Sequence, residues 1–201
     1  MSKLFDHMRS PIASTTQLRN AGVHPREILD ALESEQLYRP IPGVVVTPEV
    51  YADPDLELAL ASSVSGGVIG LLSAAVHHDL CDASPSTVTL IVPAEKAHAP
   101  RGIPVSTLRT RHKVALSVGV EERDFHGLKW RVTDPARTVV DLYRITPDAW
   151  RQHAVAALAT FLRDDGDRRR LHEYAVEFDV WTRLQPEVEA ITETHNRGMH
   201  L

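Results

Sequence analysis

The sequence predicts an α+β protein with an N-terminal winged helix-turn-helix, a small mixed or antiparallel sheet with helices, and a helical C-terminal tail. Three patterns indicate this class. Signals for helix, tight turn, helix and hairpin follow one another within residues 1–50, apolar residues alternate with polar ones over 87–132, and apolar residues recur at helical spacing over 134–195. We therefore divide the chain into a winged unit, residues 1–50, and a C-terminal unit, residues 53–201.

The winged unit opens on a helix start. In Ser14-Thr15-Thr16-Gln17 the serine caps the helix and the glutamine reaches back, which makes a capping box. Gly22 is free to adopt a positive φ in the tight turn that follows, and Pro25 suits the first position of a second helix. The β-prone runs 37–39 and 44–46 enclose a proline-rich turn, so they predict the hairpin that forms the wing.

The C-terminal unit combines two helices with four strands. Asp53-Pro54 begins the first helix, as a capping residue followed by proline at the first helical position. A largely apolar helix is expected from Val68 to His78. His126-Gly127 predicts a two-residue hairpin turn. The runs with a period of two predict strands over Thr87–Val92, Val105–Arg111, Val118–Asp124 and Leu128–Val132.

Helices make up the predicted tail. Thr133-Asp134-Pro135 begins one helix, and Thr146-Pro147 begins the next. The acidic residues of 164–167 interrupt the pattern. An apolar stripe from Leu171 to Trp181 then predicts a further helix, and Pro186 is expected to begin the last one.

The composition excludes several classes of site. The net charge is −5, and the single cysteine, Cys81, excludes a disulfide framework and a cysteine-built metal site. There are 18 arginines but only four lysines, and no lysine follows a glycine, so a Walker A phosphate loop is absent. The lysine positions also exclude the kinase Val-Ala-x-Lys strand and the common nuclease pattern of a carboxylate two residues before lysine.

Two further expectations follow from what the sequence lacks. The histidines show no metal-ligand spacing, so we expect no metal and no cofactor. No apolar run approaches the roughly 20 residues needed to span a bilayer, so we expect no membrane partner and a cytoplasmic protein.

The winged unit offers a candidate DNA interface. In a helix-turn-helix, the second helix enters the major groove with its N-terminal residues at the base edges. This geometry predicts six DNA-binding residues, namely Thr15, Thr16 and Gln17 on the first helix, His24 and Arg26 on the second, and Arg39 in the wing.

The charges of this unit argue for weak DNA binding. Residues 1–50 hold five basic and six acidic side chains, and the acids of the second helix region are Glu27, Asp30, Glu33 and Glu35. Since neutralised phosphates supply most of the non-specific affinity, a monomer is expected to bind weakly and a repressor to act as a homodimer. A helix-turn-helix that binds a protein instead is the alternative.

A second candidate site is the basic stretch of residues 94–113. We expect it to bind a partner or a phosphate through Lys96, Arg101, Arg109, Arg111 and Lys113. On a continuous strand the last three would alternate to one face, which suits phosphates or an acidic protein surface. An ordinary solvated face is the alternative. The acidic residues 164–201, net −4, could pair with this stretch internally or present a second pole to a partner.

The order of several short motifs resembles one protein family. They are Pro42-Gly43-Val44-Val45, Gly66-Gly67-Val68-Ile69, Leu72-Ser73-Ala74, His78-Asp79-Leu80, the stretch from Thr133 to Arg144, Tyr174-Ala175, Val180-Trp181 and Leu184-Gln185-Pro186. Together they run over nearly the whole chain, which resembles the AbiEi-type antitoxins of bacterial toxin–antitoxin systems.

The resemblance implies a winged helix that binds and represses its own promoter, and a C-terminal part that neutralises a cognate nucleotidyltransferase-like toxin. Because no catalytic constellation is recognisable, we expect an antitoxin that is not an enzyme. Two alternatives stay open: a stand-alone winged-helix transcriptional regulator, and an atypical serine protein kinase that inactivates the toxin by phosphorylation. The chain departs from the family pattern in its acidic second helix and in Gly43-Val44-Val45, where Gly-Val-Tyr is usual.

Overall fold

The chain folds into helices and two separate sheets. The computed structural model describes residues 3–8, 10–95, 100–145 and 150–198. The helices are α1 (Lys3–His7), α2 (Thr15–Asn20), α3 (Pro25–Glu33), α4 (Pro48–Tyr51), α5 (Asp55–Ser65), α6 (Leu71–His77), α7 (Pro135–Ile145), α8 (Arg151–Arg163), α9 (Arg168–Glu177) and α10 (Trp181–Gly198). The strands are β1 (Ile12–Ser14), β2 (Val44–Val46), β3 (Val68–Ile69), β4 (Val88–Pro93), β5 (Val105–Thr110), β6 (Val120–Phe125) and β7 (Leu128–Thr133). The α+β class is confirmed.

A helix, a tight turn and a second helix follow one another as predicted, in α2, Gly22 and α3. The Ser14 hydroxyl accepts hydrogen bonds from the Thr16 and Gln17 amides, and the Gln17 side chain accepts one from the Ser14 amide at 3.1 Å, so the capping box is confirmed. Gly22 has a φ of 93°, as the tight turn requires. Pro25 occupies the first turn of α3.

The wing differs from the predicted hairpin. The run 37–39 contributes only one antiparallel bridge, between Tyr38 and Val46. The main partner of β2 is β1, a strand of three residues that the sequence analysis missed. Pro40 and Pro42 lack backbone N–H groups, so the connecting turn cannot extend the ladder between 37–39 and β2.

Five strands in the order β5-β4-β3-β7-β6 form the larger sheet. The sheet is mixed, because β5 runs parallel to β4, and β3 runs parallel to β7 but antiparallel to β4. The His126-Gly127 turn joins β6 to β7, and both of its residues have positive φ, as the prediction requires.

The centre of this sheet corrects the sequence prediction. Val68 and Ile69 form the strand β3 rather than the first turn of a helix, and α6 begins only at Leu71. Gly70 separates the two elements in an extended conformation, and a Cβ at this position would lie 2.7 Å from the Ile91 side chain. The close approach of β4 therefore requires glycine there and ends the strand.

Two apolar cores flank these elements. Helix α5 packs on β4 and β7, where Leu60, Leu90 and Trp130 are buried together. Helices α6 to α10 form a bundle whose core includes Val139 and Leu158.

The last helix of the tail also differs from the sequence prediction. Helix α10 begins at Trp181, so Pro186 lies inside it instead of at its start. Leu184 is fully buried in the bundle, and this burial favours a helix that starts before the proline. The predicted start at Thr146-Pro147 lies outside the described residues, whereas the predicted break at 164–167 is confirmed between α8 and α9.

A fully buried arginine joins the bundle to the sheet. The Arg137 side chain of α7 is 0% exposed, and its Nε donates to the Asp141 carboxylate at 3.0 Å. Its terminal nitrogens donate to the carbonyls of Val118 and Ala115, which precede β6. The guanidinium carbon lies 3.9 Å from the centre of the Phe178 ring, at the end of α9.

Asp134 extends this network at the start of α7. Its carboxylate accepts hydrogen bonds from the Arg137 amide at 2.8 Å and from the Tyr174 hydroxyl at 3.0 Å. Burial raises the pKa of the Asp134 carboxyl, and burial together with this carboxylate raises the pKa of Tyr174 to about 12. The α7 start is therefore held to α9 by polar contacts inside the core.

Replacement of Arg137 by methionine tests this network. We expect Arg137→Met to lower the free energy of unfolding by about 3–5 kcal/mol, because it leaves Asp141 with one partner fewer and removes the donors of the buried Ala115 carbonyl and the partly buried Val118 carbonyl. Urea denaturation measures the change. The exposed control Arg163→Met should change stability by less than about 0.5 kcal/mol. Equal effects of the two substitutions would contradict the assigned role.

A second expectation concerns pH. His78 donates from Nε2 to the Thr133 carbonyl at 2.7 Å, and burial lowers the pKa of the imidazole. Since the folded state then binds fewer protons than the unfolded state, this contribution to stability is present above the unfolded pKa of about 6.5 and is lost as the pH falls below it. Between about pH 7.5 and pH 5.5, wild type should lose more stability than His78→Gln in urea titrations. Parallel losses would refute the assignment.

Candidate functional site

The predicted DNA-contacting residues of α2 lie at its first turn. Thr16 and Gln17 are exposed, and Thr15 is half-buried. The side-chain carbonyl of Gln17 is already used by the capping box, which leaves only its amide nitrogen free to donate. Arg19, which the sequence analysis did not select, folds back so that its Nε donates to the Thr15 carbonyl at 3.2 Å.

The start of α3 and the wing come close to this turn. His24 caps α3 through Nδ1, which accepts from the Arg26 amide at 3.2 Å, and both side chains are exposed. A shallow depression of about 330 Å³ brings Thr15, Arg19 and Arg39 together beside Pro25. Thr15 and Arg39 are the predicted residues that share this depression, and Arg19 joins them. Gln17 lines a different depression, together with Asn20 and His126.

The acids of α3 remain on its surface. Asp30 and Glu33 are exposed, Glu27 is half-buried, and none of them forms an ion pair with another described residue. A phosphate backbone approaching α3 would therefore meet uncompensated negative charge, which opposes tight binding.

The cations of residues 94–113 do not share one strand face. Strand β5 ends at Thr110, and Lys113 begins a 3-10 helix, so the predicted alternation of Arg109, Arg111 and Lys113 is wrong. The chain turns because the His112 amide binds the Thr110 hydroxyl at 3.1 Å. Arg101 lies apart, in the turn before β5, and Lys96 lies outside the described residues.

Part of this stretch lines a basic pocket. Its volume is about 590 Å³. Its cationic or titratable side chains are Arg109, Arg111, His112 and Arg144, and its apolar floor contains Ile91, Leu108 and Ile145. No carboxylate lines it among the described residues. Arg109 and Arg111 are exposed and make no ion pair with any residue that the structure describes.

Arg144 is the member of this pocket that the sequence analysis missed. It comes from the last turn of α7, and its terminal nitrogen donates to Asp141 at 3.0 Å. The same carboxylate binds Arg137, and the guanidinium of Arg144 lies 4.9 Å from the Phe178 ring centre. Asp141 carries one negative charge and contacts two arginines, so the three side chains together keep a net positive charge.

A larger cavity lies at the opposite end of β4. It has a volume of about 720 Å³ and contains a pair formed by His77 Nδ1 and Asp55 at 2.8 Å. The Ser73 hydroxyl, which lines this cavity, accepts a hydrogen bond from the Thr89 amide at 2.9 Å. Within the described residues, the chain presents no group of three side chains that could hold a metal ion.

Comparison with known proteins agrees with the fold. The crystal structure of the RV2827C protein from Mycobacterium tuberculosis superposes with a TM-score of 0.60 at 19% identity, covering 92% of this chain and 73% of that chain. No curated protein matches the chain. In the part of the chain that the structure describes, no helix is long and apolar enough to cross a membrane.

One family matches the C-terminal unit. The match covers residues 68–185, which is more than half of the chain, and it includes β3 to β7, Arg137, Asp141 and the basic pocket. The chain therefore belongs to the AbiEi antitoxin C-terminal domain family.

Proposed function

We propose that this protein is the antitoxin of a bacterial toxin–antitoxin pair and that it neutralises a nucleotidyltransferase-like toxin by binding it. The match of residues 68–185 to an antitoxin domain carries this proposal. The matched residues contain both the polar network of Arg137 and the basic end of β5.

The basic pocket is the surface best suited to the toxin. Arg109 and Arg111 stand free of ion pairs with described residues, and Arg144 is fixed beside them by Asp141. Guanidinium groups that are already oriented lose less entropy when they bind a carboxylate, so they favour an acidic protein surface. Lys113, which is exposed and follows the pocket residue His112, extends the positive field there, whereas Arg101 lies at the other end of β5.

Co-expression tests the neutralisation. Growth of cells that express the product of the neighbouring gene should be restored by this chain, and Arg109→Glu with Arg111→Glu should abolish the rescue, because both changes reverse charge at the proposed interface. The matched control, Arg163→Glu with Arg169→Glu, reverses two exposed arginines of the bundle and should still rescue growth. Unrelieved toxicity with wild type would reject the antitoxin proposal, and rescue by the first variant would remove the proposed surface.

A second candidate function is repression of its own promoter by a homodimer. The depression that contains Arg19 and Arg39 supports it, as does the exposed Arg26 in the first turn of α3. The basic side chains suit phosphates, while the exposed Asp30 and Glu33 limit the affinity of a single unit.

An electrophoretic mobility shift on the upstream region tests this function. Binding should weaken steeply with added salt, and Arg26→Ala or Arg39→Ala should each weaken it and reduce the salt slope by about one unit per lost phosphate contact. Arg163→Ala is the control and should leave binding unchanged. Absence of a shift at low salt would exclude DNA binding.

A further inference from the structure

Strand β5 leaves one edge of the larger sheet open. It stands first in the sheet order and pairs only with β4 among the described residues. The Pro104 carbonyl accepts from the Val88 amide at 2.9 Å, and the Thr110 carbonyl accepts from the Ala94 amide at 2.8 Å. Backbone N–H and C=O groups alternate in direction along a strand. The even-numbered residues of β5 therefore bond β4, and the N–H and C=O groups of Val105, Thr107 and Arg109 point outward from the sheet.

These outward groups have no bonding partner within the described residues. They form a template that an extended segment of another protein can join as a sixth strand. Thr107 and Arg109 are exposed along this edge, and Val105 is half-buried.

The basic pocket lies at the carboxyl end of this open edge. A strand laid along β5 would run past Arg109 toward Arg111 and Arg144 at the end of the pocket, with its side chains alternating between the two faces of the sheet. The C-terminal end of α7 carries a partial negative charge of about half a unit. The three guanidinium groups of the pocket outweigh this charge, because the nearby carboxylate of Asp141 is shared with the buried Arg137. The apolar floor of Ile91, Leu108 and Ile145 can accept an aliphatic side chain between the charges.

We infer that β5 recruits its protein partner by strand addition, pairing with an extended segment in which acidic and aliphatic residues alternate. The backbone of that segment bonds Val105, Thr107 and Arg109, and its carboxylates bind the arginines of the pocket. The assignment of this partner as the toxin rests on the proposed function, but the mode of binding depends only on the open edge and the pocket.

Fluorescence anisotropy of the full chain with a labelled peptide tests the inference without any toxin. The probe is a short peptide that alternates aspartate and valine, and its control replaces aspartate with lysine. Only the acidic peptide should bind, and raising the salt from about 0.1 M to about 1 M should weaken it, because the Debye length falls from about 10 Å to about 3 Å.

Two substitutions separate backbone pairing from charge. Thr107→Pro removes an outward N–H and spares the β4 ladder, so it should weaken binding about tenfold, as should Arg109→Glu. Arg163→Glu should bind like wild type. If Thr107→Pro lowers the melting temperature of the protein, a second probe replaces it. This probe is the acidic peptide with alternate backbone nitrogens methylated, and it tests backbone pairing without changing the protein.

The peptide experiment decides for or against strand addition. No binding by wild type, or equal binding of the lysine peptide, overturns the inference. Unchanged affinity for the methylated peptide in both registers also overturns it, because attraction would then be purely ionic. Failure of growth rescue in the co-expression experiment rejects the antitoxin proposal and leaves this peptide result standing by itself.

Discussion

The buried contact between Arg137 and Asp141 is the constraint on which the C-terminal unit depends. Removing both charges from water costs several kcal/mol for each ion, and only complete hydrogen bonding offsets that cost. The chain meets this demand by bringing the carbonyls of Ala115 and Val118, the Phe178 ring and the second arginine of α7 around one pair. The positions of β6, α7 and α9 are thereby determined together, and the basic pocket is built on the same carboxylate.

Local features of the fold could be predicted because short-range chemistry decides them. The capping box at Ser14 and the turn at His126-Gly127 depend on residues that are adjacent in the chain. Strands β1 and β3 escaped prediction because they have three and two residues, and their identity depends on pairing with distant strands. The β-branched pair Val68-Ile69 followed by Gly70 is the signal that could have revealed β3.

The candidate site was only partly predictable for a related reason. Composition identified the cationic stretch that contains Arg109 and Arg111, but the assumption of a continuous strand failed at Thr110, where a side-chain hydrogen bond turns the chain. Arg144 lies in α7, more than thirty residues after the end of β5, and no spacing rule links the two. The stretch from Thr133 to Arg144 resembles an antitoxin family, but this resemblance does not indicate what the Arg144 side chain does.

Asp141 is shared between two arginines, so the arginines of the pocket differ in how well they tolerate substitution. Arg144 cannot change without disturbing the carboxylate that also serves the core, so its charge is tied to folding. Arg109 and Arg111 stand on the surface, where substitutions usually alter stability by less than about 0.5 kcal/mol. A change of charge at these two positions therefore leaves the core intact, whereas a change at Arg144 reaches the core through Asp141, so only part of this surface can be altered without a cost to folding.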